Sequence, residues 1–403
     1  MNKKYFAFSA ILFALNPFFF TLFVMLITVL TNDRRSILSR LSFILMLFYA
    51  CLVQTQRVWG YDLPSDWTSN VYEGHFLEVG FTGFFEYVFT KKEPLWNVLN
   101  YIGYYLTDGS AFHFFNGIAI VTIVLLLLSV YIYWQKSGAS PVVLISSLAF
   151  IVFFVEFSSN LNNLLRQFFA LSIIVFAYTI DFSKKKHSLY VLLAASLIHT
   201  VGFIFLIFHL IKPLHRKLEV EQLLKIFGVT LVVAAVLSQA NALHGIFSAV
   251  PFLGYAFYRL TTASNPHSFD DIIDPSVIFV NGAVVSIFAL TMMLLNKNIG
   301  KNMVFYANIL MALMLLSMIT AVLAPMLMTR LYISRFFFFP FVIPYIFINA
   351  RGGFFQMVKL PFSWAITVFF IYWFVSKFDS IRGGGFFPPI DELVMYSLFD
   401  FIF

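Results

Sequence analysis

The chain is short of charge and of cysteine. Only 11% of its 403 residues are Asp, Glu, Lys or Arg, where a soluble domain carries roughly 25%. Against that shortage stand 61% apolar residues and 54 phenylalanines, which exclude a soluble globular protein and point to an integral membrane protein. One cysteine, Cys51, excludes an internal disulfide and argues against a cysteine-built metal site. The patterns GxxxxGK[ST], GxSxG and HExxH are missing, so the chain has no phosphate-cradling loop to hydrolyse ATP. The energy for any bond it makes must arrive in the substrate. Barrel-type alternation is also missing, which leaves an all-α fold. The net charge of +7 sits in short loops, where it reports orientation, so no nucleic-acid partner is expected.

What is present is a succession of apolar runs, each long enough to cross about 30 Å of hydrocarbon as helix. They predict a single polytopic domain over 1–403 with about 10–12 transmembrane helices. Spans are expected at 5–31 (kinked at Asn16-Pro17), 41–57, 111–134, 141–157, 160–181, 223–243, 276–295, 303–329, 336–350 and 361–377. Residues 58–110 read as an outer interfacial loop, with a short helix over 93–109 that Pro94 opens. A second outer loop covers 244–275, and 378–403 form an amphipathic tail.

Residues 188–211 lack formal charge but lie between two basic clusters, Lys184-Lys185-Lys186 and Lys212, Arg216 and Lys217. A single crossing would place one cluster outside, against the usual cytoplasmic excess of Lys and Arg. A break at His199-Thr200-Val201-Gly202 removes the conflict: two half-helices enter and leave from the cytoplasm, which is tolerated where the backbone is buried in protein or faces water. The layout places 15 of the 26 Lys and Arg in cytoplasmic turns. It also brings Asp62, Asp66, Glu93, Arg166, His199, Arg259, Asp270, Asp271, Arg330 and Arg335 to the outer half of the membrane.

Arg166 lies in SSNLNNLLRQFFALSIIVFAY, read as one transmembrane helix whose first two turns are polar. On that reading Asn162, Asn163 and Arg166 share a face. Arginine inside a span is costly unless it faces protein, water or a ligand, and its fork suits phosphate or carboxylate. Arg166 and Gln167 are therefore expected to hold an anionic group. His199 as a neutral imidazole could take a proton from a sugar hydroxyl, or could simply brace the broken helix. Asp62 and Asp66 could each act as a base or orient hydroxyls; as a structural residue, Asp66 suits a helix cap. Glu93 could serve likewise, or could favour the N-terminus of the helix it precedes. Arg330 and Arg335, in LYISRFFFF, join the cationic set or anchor an aromatic belt. Asp270, Asp271 and Asp274 carry only a weak metal spacing, and no metal or cofactor is expected.

The order YDLPSDWTSNVY, EPLWNVLNYI, NLLRQFFALSIIVFAY, SLIHTVGFIF, SRFFFFPFVIPY resembles the EpsG-like and Wzy group of bacterial polysaccharide polymerases over roughly residues 57–345. The resemblance implies a glycosyltransferase of GT-C-like architecture in the bacterial inner membrane, with its site facing the periplasm. The implied substrate is an oligosaccharide on undecaprenyl diphosphate, and a chain-length regulator is an implied protein partner besides the lipid bilayer. On that view Arg166, Arg259, Arg330 and Arg335 would bind substrate, with Gln167 and Asn163 beside them. Asp62, Asp66, Glu93 and His199 are the candidates for the base, and Tyr72, where the group has a tyrosine after an acidic residue, would join the substrate-binding set. The rival readings are a transporter or flippase of the same lipid-linked sugar, and a membrane acyltransferase. No internal repeat supports the first, and no acyl-donor site identifies the second.

Overall fold

The structure, a computed structural model, describes residues 3–34, 36–57, 83, 88, 93–181, 188–217, 221, 222, 225, 228, 229, 232, 275–295, 300–323, 325–348, 350, 353–381 and 387–402. The protein is an all-α polytopic membrane protein. It divides into two compact units, Met1–Phe203 with Met357–Phe403, and Ile204–Gln356.

In the first unit α1 (Lys3–Leu15) and α2 (Pro17–Thr31) replace the single kinked span of 5–31. Asn16 is extended and accepts the Phe19 N–H with its side chain, so the kink is a true helix start. Next come α3 (Ile37–Thr55), α4 (Pro94–Leu106) and α5 (Ala111–Ser137), which a left-handed Gly138 closes. Every residue of α6 (Pro141–Phe153) is buried, as expected of a helix apolar all round. Its Ser146 hydroxyl donates to the Ser363 carbonyl at 2.7 Å, on the long helix Gly353–Ile381.

The stretch around Arg166 differs from the single helix expected of it. It is split into α7 (Val155–Asn163) and α8 (Leu165–Asp181), with Leu164 at φ −122 and ψ 40. The reason is local chemistry. Asn160 and Asn162 turn their amides back onto the carbonyls of Glu156 and Ser158, and Ser and Asn in a row compete with the helical ladder. Arg166 therefore stands in the first turn of α8 rather than two turns inside a continuous rod, and the break ends the one-face relation with the asparagines. Where α7 meets α6 the axis bends by 47°.

The break expected near His199 is present: α9 (Ser188–Ile198) stops there and α10 (Val201–Leu210) begins two residues on. The chain doubles back at this point. A Cβ on Gly202 would lie 2.6 Å from the Ser196 Cα, whereas six residues of continuous helix span about 9 Å.

The second unit holds α11 (Pro275–Leu295), α12 (Lys301–Leu323) and α13 (Pro325–Ser334). Asn308 of α12 ties down the turn Lys212–His215 and the residue after it by donating to the carbonyls of Leu214 and Arg216, both at 2.8 Å. The span expected over 336–350 is not a regular helix. It is a buried series of single turns, Arg335–Phe337, Phe339–Val342 and Ile343–Tyr345. Pro340 and Pro344 supply no N–H, so the ladder lacks a donor at each of them. The irregular backbone survives because Phe337, Phe338, Phe341 and Tyr345 are enclosed by protein.

The last long helix, α14 (Gly353–Ile381), runs past both ends of the expected 361–377 span. Its Phe374 joins Phe18, Tyr49 and Phe153 in the aromatic centre of the first unit. The tail is two short helices rather than one, α15 (Ile390–Met395) and α16 (Leu398–Ile402), whose Leu393 and Phe401 turn inward.

Among the described residues four helices are long and apolar enough to cross a membrane: α3, α5, the first 18 residues of α12, and α14; the bent α6–α7 pair makes a fifth. Leu30, Phe23, Tyr372 and Val375 lie exposed, and lipid is the solvent that tolerates such a surface.

Candidate functional site

Three of the residues singled out in the sequence meet in the first unit. Glu93 precedes α4, Arg166 opens α8 and His199 ends α9. An apolar cluster that includes Trp96, Phe115, Phe169, Ala170 and Ile198 fixes these helices relative to one another. Glu93 is 2% exposed and makes no side-chain bond to its own helix. Its Oε2 accepts from Arg166 Nη1 at 2.9 Å, and its Oε1 accepts the Thr200 N–H at 3.4 Å. The carboxylate thus joins the arginine to the N-terminal end of α10, where backbone donors favour negative charge.

His199 is buried beside them. Its Nδ1 accepts the Val201 N–H at 3.2 Å, which commits that lone pair and places the ring proton on Nε2. Nε2 faces Glu93 Oε1 at 3.8 Å, too long for a direct hydrogen bond. With one nitrogen capped and the other protonated, the ring holds the chain reversal in place and offers no free lone pair to a substrate. That geometry favours the bracing alternative over the base expected of it.

Arg166 keeps 35% of its side chain exposed. One end of the fork is anchored, and among the described residues the remaining donors meet no hydrogen-bond partner. Gln167 is buried next to it. In the same unit Gln54 donates to Asn162 at 3.1 Å and to Asn116 at 3.3 Å, joining α3, α7 and α5. Sequence reading missed Gln54 and Asn116 because each is a lone amide within an apolar run. It also missed Asn97 and Asn100, buried on α4, although their spacing from Glu93 was a usable signal.

Arg330 and Arg335 belong to the second unit. Arg335 is 6% exposed, and its Nε and Nη1 have no hydrogen-bond partner among the described residues. Its guanidinium carbon lies 3.3 Å from the Tyr332 ring centroid and 5.0 Å from that of Phe336, and Asn281 holds the Tyr332 hydroxyl at 2.9 Å. Arg330 is half-buried. Asp62, Asp66, Tyr72, Arg259, Asp270, Asp271 and Asp274 lie outside the described residues, as does the Asn163 side chain. Among the described residues no three His, Cys, Asp or Glu side chains stand close enough together to hold a metal.

The arrangement can grip an anion with a guanidinium that is already aimed. The EpsG family model matches residues 39–388, most of the chain, and the chain belongs to the EpsG family. No curated protein and no solved structure matches it. Membership of this family points to a membrane protein of the polysaccharide-polymerase type.

Proposed function

We propose that this EpsG family member is a glycosyltransferase that joins oligosaccharide repeats carried on undecaprenyl diphosphate, at the periplasmic face of the bacterial inner membrane. The observation that carries the reading is the convergence of Glu93, Arg166 and the His199 turn. They are distant in sequence, Glu93 and His199 are buried, and Arg166 keeps a half-exposed guanidinium.

In the proposed step a hydroxyl at the non-reducing end of the incoming repeat attacks the anomeric carbon of the growing chain. A glycosidic C–O bond forms, the anomeric bond to the lipid diphosphate breaks, and the diphosphate carries away the electron pair. The hydroxyl proton passes to a carboxylate, for which Asp62 and Asp66 are the candidates, both oxygens of Glu93 being engaged by Arg166 and the Thr200 N–H. The free donors of Arg166 stabilise the charge that grows on the departing diphosphate. Glu93 and His199 act as positioning residues, the first through the guanidinium and the second through the chain reversal. In the second unit, taken by itself, Arg335 is a separate candidate for holding an anionic group, since its Nε and Nη1 are buried with no partner among the described residues.

The test is the surface polysaccharide of a deletion strain complemented with variants. Deletion and Arg166→Ala both collapse the ladder to a single lipid-linked repeat on the outer face. Normal long polymer from Arg166→Ala rejects the role of the arginine. Complete absence of the outer repeat after deletion would instead identify a flippase.

A further inference from the structure

The helix α4 has its polarity turned inside out. Ile102, Tyr105 and Leu106 are exposed, while Glu93, Asn97 and Asn100 are buried. At 100° per residue, positions 93, 97 and 100 fall within about 60° of one another, and the Asn97 N–H bonds the Glu93 carbonyl at 3.0 Å as a first turn requires. A polar row turned toward the protein, with an apolar face outward, is what a membrane protein builds around a polar ligand.

The members of the row are not equally satisfied. Glu93 has Arg166 and Thr200. Among the described residues Asn97, 5% exposed, has no hydrogen-bond partner for its Nδ2, and Asn100, fully buried, has none for its Nδ2 or its Oδ1. An unpaired buried amide carries its whole desolvation penalty. Leucine at either position would avoid that penalty in so apolar a chain. Beside the row stands an aromatic wall: the Trp96 ring lies 6.2 Å from Phe114 and stacks at 6.4 Å on Phe115. Carboxamides that both donate and accept, next to flat apolar rings, suit the hydroxyls and the C–H face of a saccharide.

We infer that Asn97 and Asn100 form a saccharide subsite of the Glu93–Arg166 centre, in which their amides pair with sugar hydroxyls of the lipid-linked repeat. The inference rests on the polymerase reading. It adds the part of the site that recognises sugar rather than diphosphate. Both amides are shielded from solvent, so the sugar reaches them by displacing a neighbouring side chain.

The test uses the full chain in lipid nanodiscs, with Asn97→Leu, Asn100→Leu and the conservative Asn97→Ser. The probe is the undecaprenyl-diphosphate-linked repeat extracted from the deletion strain. A ligand role predicts that the leucine variants melt at or above the wild-type temperature, while KM for the probe rises about tenfold or more, the usual size for a lost hydrogen bond to substrate. Asn97→Ser keeps part of the affinity. Wild-type KM in both leucine variants overturns the subsite and leaves the polymerase reading intact. Lower melting temperatures with unchanged KM assign the amides to structure, as a buried water bridge would, and also overturn it. Failure of the deletion strain to stall at one repeat overturns the polymerase reading, and the subsite with it.

Discussion

At the scale of single residues, Glu93 decides most. A carboxylate at the N-terminus of a helix normally serves that helix, but Glu93, just before α4, makes no side-chain bond to it and spans the gap to Arg166 and Thr200 instead. Glu93→Gln removes the charge and turns an amide donor toward the guanidinium. Polymer yield is expected to fall about 100-fold, read on quantified gels, because the fork loses its aim. The loss of stability is expected to be modest, about 1 kcal/mol, because Arg166 is a third exposed and water screens it. In the Arg166→Ala background the same change should cost almost no further activity, since the two side chains act as one unit. The sequence announced these residues as types: an arginine, a histidine and a glutamate do not sit idly in an apolar chain. It left their pairing open, because residues 93, 166 and 199 become neighbours only through helix packing.

At the scale of elements, the break at His199 is the feature that sequence argument reached best. Two basic clusters flanking 24 uncharged residues left few alternatives. Gly202 shows how tight the reversal is, since an added Cβ would press on the Ser196 and Ala195 backbone at 2.6–3.0 Å. Gly202→Ala should therefore destabilise the fold by about 1–3 kcal/mol and reduce polymer yield, measured by thermal melting and by the ladder together. An unchanged melting temperature would show the reversal to be looser than described. The split at Leu164 and the single turns over 335–345 went unread for a shared reason. Hydropathy reports burial, and buried irregular backbone is as apolar as buried helix. The asparagines before Leu164 and the prolines at 340 and 344 were visible, but packing decides whether such residues bend a helix or end it.

At the scale of the whole molecule, sidedness is the expectation to test. The α5 helix has 27 residues, about 40 Å at 1.5 Å per residue, so its two ends must lie on opposite faces of a bilayer. With Cys51 replaced by serine, Asp108→Cys is expected to react in intact cells with a maleimide that cannot cross the inner membrane. Gly138→Cys is expected to react only after lysis. The reverse pattern would place the Glu93 end of the protein in the cytoplasm and remove the case for a periplasmic reaction.

By itself the sequence determined the solvent, the helical class, the reversal at His199 and the kinds of side chain available for chemistry. These follow from composition, charge distribution and spacing, which act locally along the chain. Tertiary structure alone decided that Glu93 holds Arg166, that the Val201 N–H occupies the His199 ring, and that the Asn97 Nδ2 and both polar atoms of the Asn100 side chain are buried without partners among the described residues. Hydrogen bonds and burial are relations between segments, and only the packed helices bring those segments together.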